Sequence, residues 1–172
     1  MSRRRTGSQG PVPSRATGVV LAALGALAAC SADVQQPIGY NHDLHVNKLE
    51  TPCETCHPGS KKGVVATLPS ISVCSDCHGD PQGNSPEEAK VVEAVRANKE
   101  IGWVRLYELP RHVYFSHRRH VDVAQVACEK CHGPMAARTR PPPAALMTLT
   151  MNDCLECHTQ RGASTDCDAC HR

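Results

Sequence analysis

HVYFSHRRHVDVAQVACEKCH, residues 112–132, places His112, His117 and His120 within nine residues, then sets Cys128 and Cys131 one helical turn apart with His132 directly after them. Three imidazoles in so short a run do not all find buried hydrogen-bond partners cheaply, and a pH switch needs no such density. Their nitrogens must serve something else.

The cysteine pair with its histidine recurs five times, as CETCH (53–57), CSDCH (74–78), CEKCH (128–132), CLECH (154–158) and CDACH (167–171), using ten of the eleven cysteines. This spacing is the attachment signature of c-type haem. Two thiols one turn apart can add across the two vinyl groups of a porphyrin edge, and the following imidazole then reaches the iron. The expected attachment residues are Cys53, Cys56, Cys74, Cys77, Cys128, Cys131, Cys154, Cys157, Cys167 and Cys170, with His57, His78, His132, His158 and His171 on iron. Zinc is a rival, because Cys53 to Cys77 has zinc-ribbon spacing, and a disulfide framework is another. Neither has a use for the histidine. Ten histidines in 172 residues make His at any position roughly 6% probable, so five occurrences after five pairs are not chance.

Each of five irons has a second axial position, and five histidines remain: His42, His45, His112, His117 and His120. YNHDLH (40–45) and FSHRRH (115–120) are copies of one device, with His45 and His120 each eight residues before a motif cysteine. On a helical turn residues three apart share a face. Two neighbouring imidazoles could then serve two different irons brought close together. Tyr40 and Phe115, two residues ahead of each first histidine, are expected against porphyrin or in ordinary packing. Met151, three residues before Cys154, is an alternative ligand to His112, since a thioether also binds haem iron. The match of five to five favours His112.

H-x-x-H followed by C-x-x-C-H, with further copies downstream, resembles the class III multihaem cytochrome c family over about residues 37–172. More narrowly, IGWVRLYELPRHVYFSHRRHV with CEKCHG and LTMNDCLECH resembles the pentahaem subunit of alternative complex III, a periplasm-facing quinol-oxidising assembly. The chain differs from that subunit in carrying a lipobox and no spanning helix. The resemblance implies that the first histidine of each pair serves the haem just downstream, His42 that of Cys53 and Cys56 and His117 that of Cys128 and Cys131. The second histidine would serve a haem further along.

Composition fits a fold built on cofactor. Only Tyr40, Trp103, Tyr107, Tyr114 and Phe115 are aromatic, and twenty-five residues are Pro or Gly. The expected fold is small, loop-rich and mostly α, with short helices and haems as its core. Residues 37–84 would hold two haems and residues 103–172 three, joined by a helix within 85–102. In SPEEAKVVEAVRANKEIG, Ser85 can cap, Pro86 suits the first position, Glu88 would complete a capping box, and Val91, Val92 and Val95 form an apolar stripe. TRPPPAA (139–145) reads as an extended loop, with Pro-rich recognition the other reading.

Residues 1–29 read as a secretory leader, with Arg3, Arg4, Arg5 and Arg15 before an apolar run too short to span a membrane. Leu27-Ala28-Ala29-Cys30 resembles a bacterial lipobox, which implies lipidation at Cys30 and a linker over residues 30–36. Ser31 is more similar to outer-membrane than to inner-membrane sorting signals. Without the leader's four arginines, fifteen Lys and Arg face seventeen Asp and Glu, which gives no basic surface for nucleic acid. Ionised propionates take the formal charge to about −7 oxidised and about −12 reduced. The function expected is an electron relay on the periplasmic side of a bacterial membrane, in a quinol-oxidising chain with other redox proteins or cytochromes, and not an enzyme. The alternative is a multihaem reductase with one open iron.

Overall fold

Two wide helical turns, at Asp43–Lys48 and Arg119–Val123, carry His45 and His120, with His42 and His117 just ahead of them. Both are π-turns rather than the α-turns the spacing suggests. Leu49 and Ala124 donate to the carbonyls five residues back, Leu44 and Arg119, at 2.9 and 3.0 Å. Each turn then unwinds through a non-glycine residue at positive φ, Glu50 at 54° and Gln125 at 52°, which returns the Thr51 and Val126 amides to the His45 and His120 carbonyls. A left-handed residue with a side chain costs about 1–2 kcal/mol. Strain of this kind, together with π-turns, persists where a site needs the geometry.

The structure is a computed structural model, and it describes residues 33–171. The expected leader, Cys30 and the start of the linker lie outside the described residues. Six α-helices follow in order: α1 Cys53–Cys56, α2 Ile71–Ser75, α3 Pro86–Arg96, α4 Glu129–His132, α5 Met151–Arg161 and α6 Cys167–Cys170. No strand occurs among the described residues, and one isolated bridge pairs Val113 with His171. No helix among them is long and apolar enough to cross a membrane. The fold is thus small, loop-rich and helical.

The helix expected within 85–102 is α3. Ser85 caps it by accepting from the Glu87 amide, and the chain leaves it through Asn98 at positive φ, with Asn98 and Lys99 donating back to Val95 and Ala94. Its stripe buries Val92. Glu88 does not form the expected capping box; its carboxylate turns back to the Gln82 and Gly83 amides. Helix α5 runs a full eleven residues because both ends are fixed: Thr150 and Asp153 form a capping box, and Gly162 closes the far end in the left-handed conformation.

The two histidine turns and their motifs repeat at an offset of 75 residues, and they clasp each other reciprocally. Asp43 donates to the Arg138 carbonyl at 3.0 Å, and Arg118 donates to the Gly63 carbonyl at 2.8 Å. Residues 43 and 118, and likewise 63 and 138, are equivalent positions of the repeat. The fold is therefore internally two-fold where the copies meet, and each copy needs the other's loop to hold its turn.

Little apolar side chain is buried around this clasp. Ile38, Ile71 and Val92 form the buried hydrophobic set, with Pro142 of the extended 139–145 loop fully buried. Leu44, Val64, Val123, Tyr114 and Met147 stand exposed. Protein atoms by themselves do not supply a core here.

Candidate haem-binding centres

Four of the five motifs form one short helical turn each, and CLECH lies within α5. The turn spaces the thiols and releases the histidine behind them: the amides of His57, His78, His132 and His171 each return to the first motif cysteine, at 2.9 to 3.0 Å. All ten motif cysteines are free thiols, exposed or half-buried, so none is committed to a disulfide. Nor do three or more His, Cys, Asp or Glu converge among the described residues as a bare metal ion would require.

The histidines instead face one another in twos. His117 meets His132 at 6.3 Å between ring centres, with planes 3° from parallel. His45 meets His78 at 6.3 Å, His120 meets His158 at 6.0 Å, and His112 stacks on His171 at 5.5 Å. His42 lies close enough to His57 for its charge to be felt: burial, then His57, then His45, pushes His42 down to about 4. Burial also lowers His117 and His132, with His120 adding to the first and His117 and His57 to the second, so the neutral form, which ligation requires, is favoured. Each of the four ring pairs joins one motif histidine to one other histidine, which leaves His42 and His57 as the remaining two.

The spacing of His117 with His132, His45 with His78 and His120 with His158 suits an iron between the rings, and that of His112 with His171 is shorter. A first-row metal holds an imidazole nitrogen at about 2.0–2.1 Å, and with about 1.1 Å more to each ring centre an in-line pair lies about 6.3 Å apart.

The ring nitrogens are presented for ligation. A backbone carbonyl can only accept, so an Nδ1 on a carbonyl carries the proton and leaves Nε2 its lone pair. His45 and His120 donate to the Asn41 and Ser116 carbonyls of their own turns at 2.8 and 2.9 Å. His57, His117 and His158 donate to Thr67, Val64 and Ser164. His78 differs, since its Nδ1 faces the Glu88 carboxylate at 3.1 Å.

Tyr40 and Phe115 brace the imidazoles themselves. Tyr40 stands edge-on to His42 and stacks on His45, at 4.8 and 4.5 Å, and Phe115 does the same with His117 and His120, at 4.9 and 4.4 Å. Tyr107, which the sequence did not single out, packs edge-on to His132 at 4.6 Å and pins the 146–147 loop by accepting from the Leu146 and Met147 amides. Met151 lies at the start of α5 with its side chain 62% exposed, and the imidazole facing His158 is that of His120.

The residues present fit haem on two further counts. Trp103 Nε1 and Arg138 Nε are buried donors with no protein acceptor, a deficit that propionate oxygens would fill. An open groove lined by Val64, Ser116, Arg118, Arg119 and Val123 offers apolar wall and guanidinium together.

Burial raises several motif thiols, and each also feels a neighbouring motif. Burial raises Cys74, which also feels Cys56. Cys53 is raised by burial and then by the charge of Cys128 and a hydrogen bond with it, so equivalent cysteines meet at the pseudo-two-fold. Burial raises Cys131, which feels Cys157 and Cys154, and burial, then Asp153, then Cys170 raises Cys154.

A family model described as cytochrome c7 and related cytochrome c matches residues 113–172. The chain is 32% identical over 162 residues to a protein of Nitratidesulfovibrio vulgaris named "Menaquinone reductase, multiheme cytochrome c subunit", an alignment covering 80% of this chain and 77% of that protein.

Proposed function

Because this chain belongs to the multihaem cytochrome c family, we propose that it is a pentahaem electron relay serving a quinone-linked membrane assembly. Bound c-type haem supplies reversible one-electron chemistry at iron. The chain supplies five motifs to hold it and ten imidazoles to enclose it.

The observation that carries the reading is that four motif histidines are each faced by another histidine: His78 by His45, His132 by His117, His158 by His120 and His171 by His112. His42, half-buried against Tyr40, is the histidine that remains for His57. Haem held by imidazole on both faces would leave no axial position for substrate. A reductase would need one iron without a second protein ligand. The pairings support the ligand order that the family resemblance implies, His117 to the nearer haem and His45 and His120 to the farther.

The relay would pass electrons from one haem to the next among its five motifs. Its negative charge, about −7 to about −12, suits partners with basic docking patches, whose encounter weakens as salt rises. The relative's name places that protein in a menaquinone reductase, whereas the sequence reading names a quinol-oxidising chain. Both put quinone at one end and differ in direction, and saturated centres conduct either way. Lipidation at Cys30 would hold the relay on the periplasmic face of a membrane.

The test is carbon monoxide. Added to the reduced, fully matured protein it should leave the Soret band unchanged, and intact mass should show five haems; a carbonyl spectrum from the native protein would make it a reductase instead.

A further inference from the structure

Among the six histidines whose Nδ1 has a hydrogen-bond partner, five give it to a neutral carbonyl and His78 alone gives it to a carboxylate. Glu88 Oε1 stands 3.1 Å from His78 Nδ1, with the Glu88 side chain only 11% exposed. Its charge is held in place. The Gln82 amide donates to Oε1 at 2.7 Å and the Gly83 amide to Oε2 at 2.8 Å, and Glu88 sits in the first turn of α3, where the helix dipole favours an anion.

We propose that Glu88 is a positioning residue that tunes one centre, making the haem of CSDCH (74–78) the lowest-potential of the five. The inference rests on the ligation proposed above. An imidazole that donates to a carboxylate is a stronger electron donor to its metal than one that donates to a carbonyl. Added donation and a nearby negative charge both stabilise ferric over ferrous iron, so the potential falls.

Glu88→Gln preserves size and an acceptor oxygen but removes the charge. Spectroelectrochemical titration of the matured protein should resolve a lowest-potential component that rises in this variant by at least tenfold in its oxidised-to-reduced ratio at fixed potential, about 59 mV for one electron. The other four should move less than twofold. Glu87→Gln is the control for net charge, because that carboxylate bonds the Gly39 amide and Lys90 rather than a histidine, and it should leave the lowest component in place. If Glu88→Gln loses haem, Glu88→Asp must move the same component in the same direction by a smaller amount. Five haems by mass with an unmoved lowest component, or an equal shift in Glu87→Gln, overturns the role of Glu88 and leaves the relay standing. A native, matured protein whose mass shows no haem overturns both.

Discussion

The imidazoles of His117 and His132 lie 3° from parallel with 6.3 Å between their centres. Parallel rings at that separation leave room for one atom between them, and the Val64 carbonyl fixes the His117 tautomer whose Nε2 is free to bind it.

Removing one of the two should open an iron. His117→Ala, matured with its haems, is expected to bind carbon monoxide when reduced and to alter about a fifth of the Soret intensity, one centre of five. Titration against the native protein measures the fraction directly.

His112 and Met151 can be separated in the same way. His112→Ala should admit carbon monoxide at one centre, because His171 then lacks its facing ring, while Met151→Ala should leave the spectrum untouched. The opposite result would transfer the ligand role to the thioether.

The thin apolar interior predicts dependence of folding on haem. With Ile38, Ile71 and Val92 as the buried hydrophobic set, the chain expressed without haem attachment should give the far-UV circular dichroism of an unfolded protein and be cut rapidly by protease.

The π-turn exits predict opposite effects at one position. Gln125→Gly should relieve about 1 kcal/mol of left-handed strain, partly offset by the chain entropy of glycine, and raise the melting temperature slightly. Gln125→Val places a β-branched residue at φ 52° and should lower it by about 2–4 °C per kcal/mol lost.

Helix α5 should respond to acid through its cap. The Thr150 hydroxyl, followed by the Thr150 amide, holds the Asp153 carboxyl below its ordinary 3.8. A group depressed by folding contributes stability that is complete above its unfolded pKa and is lost as pH falls through the folded one. Melting temperature should therefore decline below about pH 4 in the native protein, with a smaller decline in Asp153→Asn. Thr150→Ala should cost about 1 kcal/mol near neutral pH.

The motifs and the paired histidines were legible in the sequence because both are local. Two thiols three residues apart and the imidazole after them share one helical turn, and the 75-residue repeat displayed His42 and His45 beside His117 and His120 as one device. Other local features were less visible. A hydrophobic period does not separate a π-turn from an α-turn, and Glu88 fitted a capping box by spacing until a nearby loop offered two amides and an imidazole. The Thr150-Met-Asn-Asp153 stretch and Gly162 did carry the cap signals of α5 in plain sight.

By itself, then, the sequence displayed five C-x-x-C-H motifs with their ten cysteines and five further histidines, one for each motif. The tertiary structure decided which imidazole faces which, since His112 and His171 or His45 and His78 meet only after long loops close. It also decided that Glu88 sits on His78 and that Cys53 meets Cys128. Such pairings depend on where the whole chain places distant segments, and no spacing between neighbours encodes that.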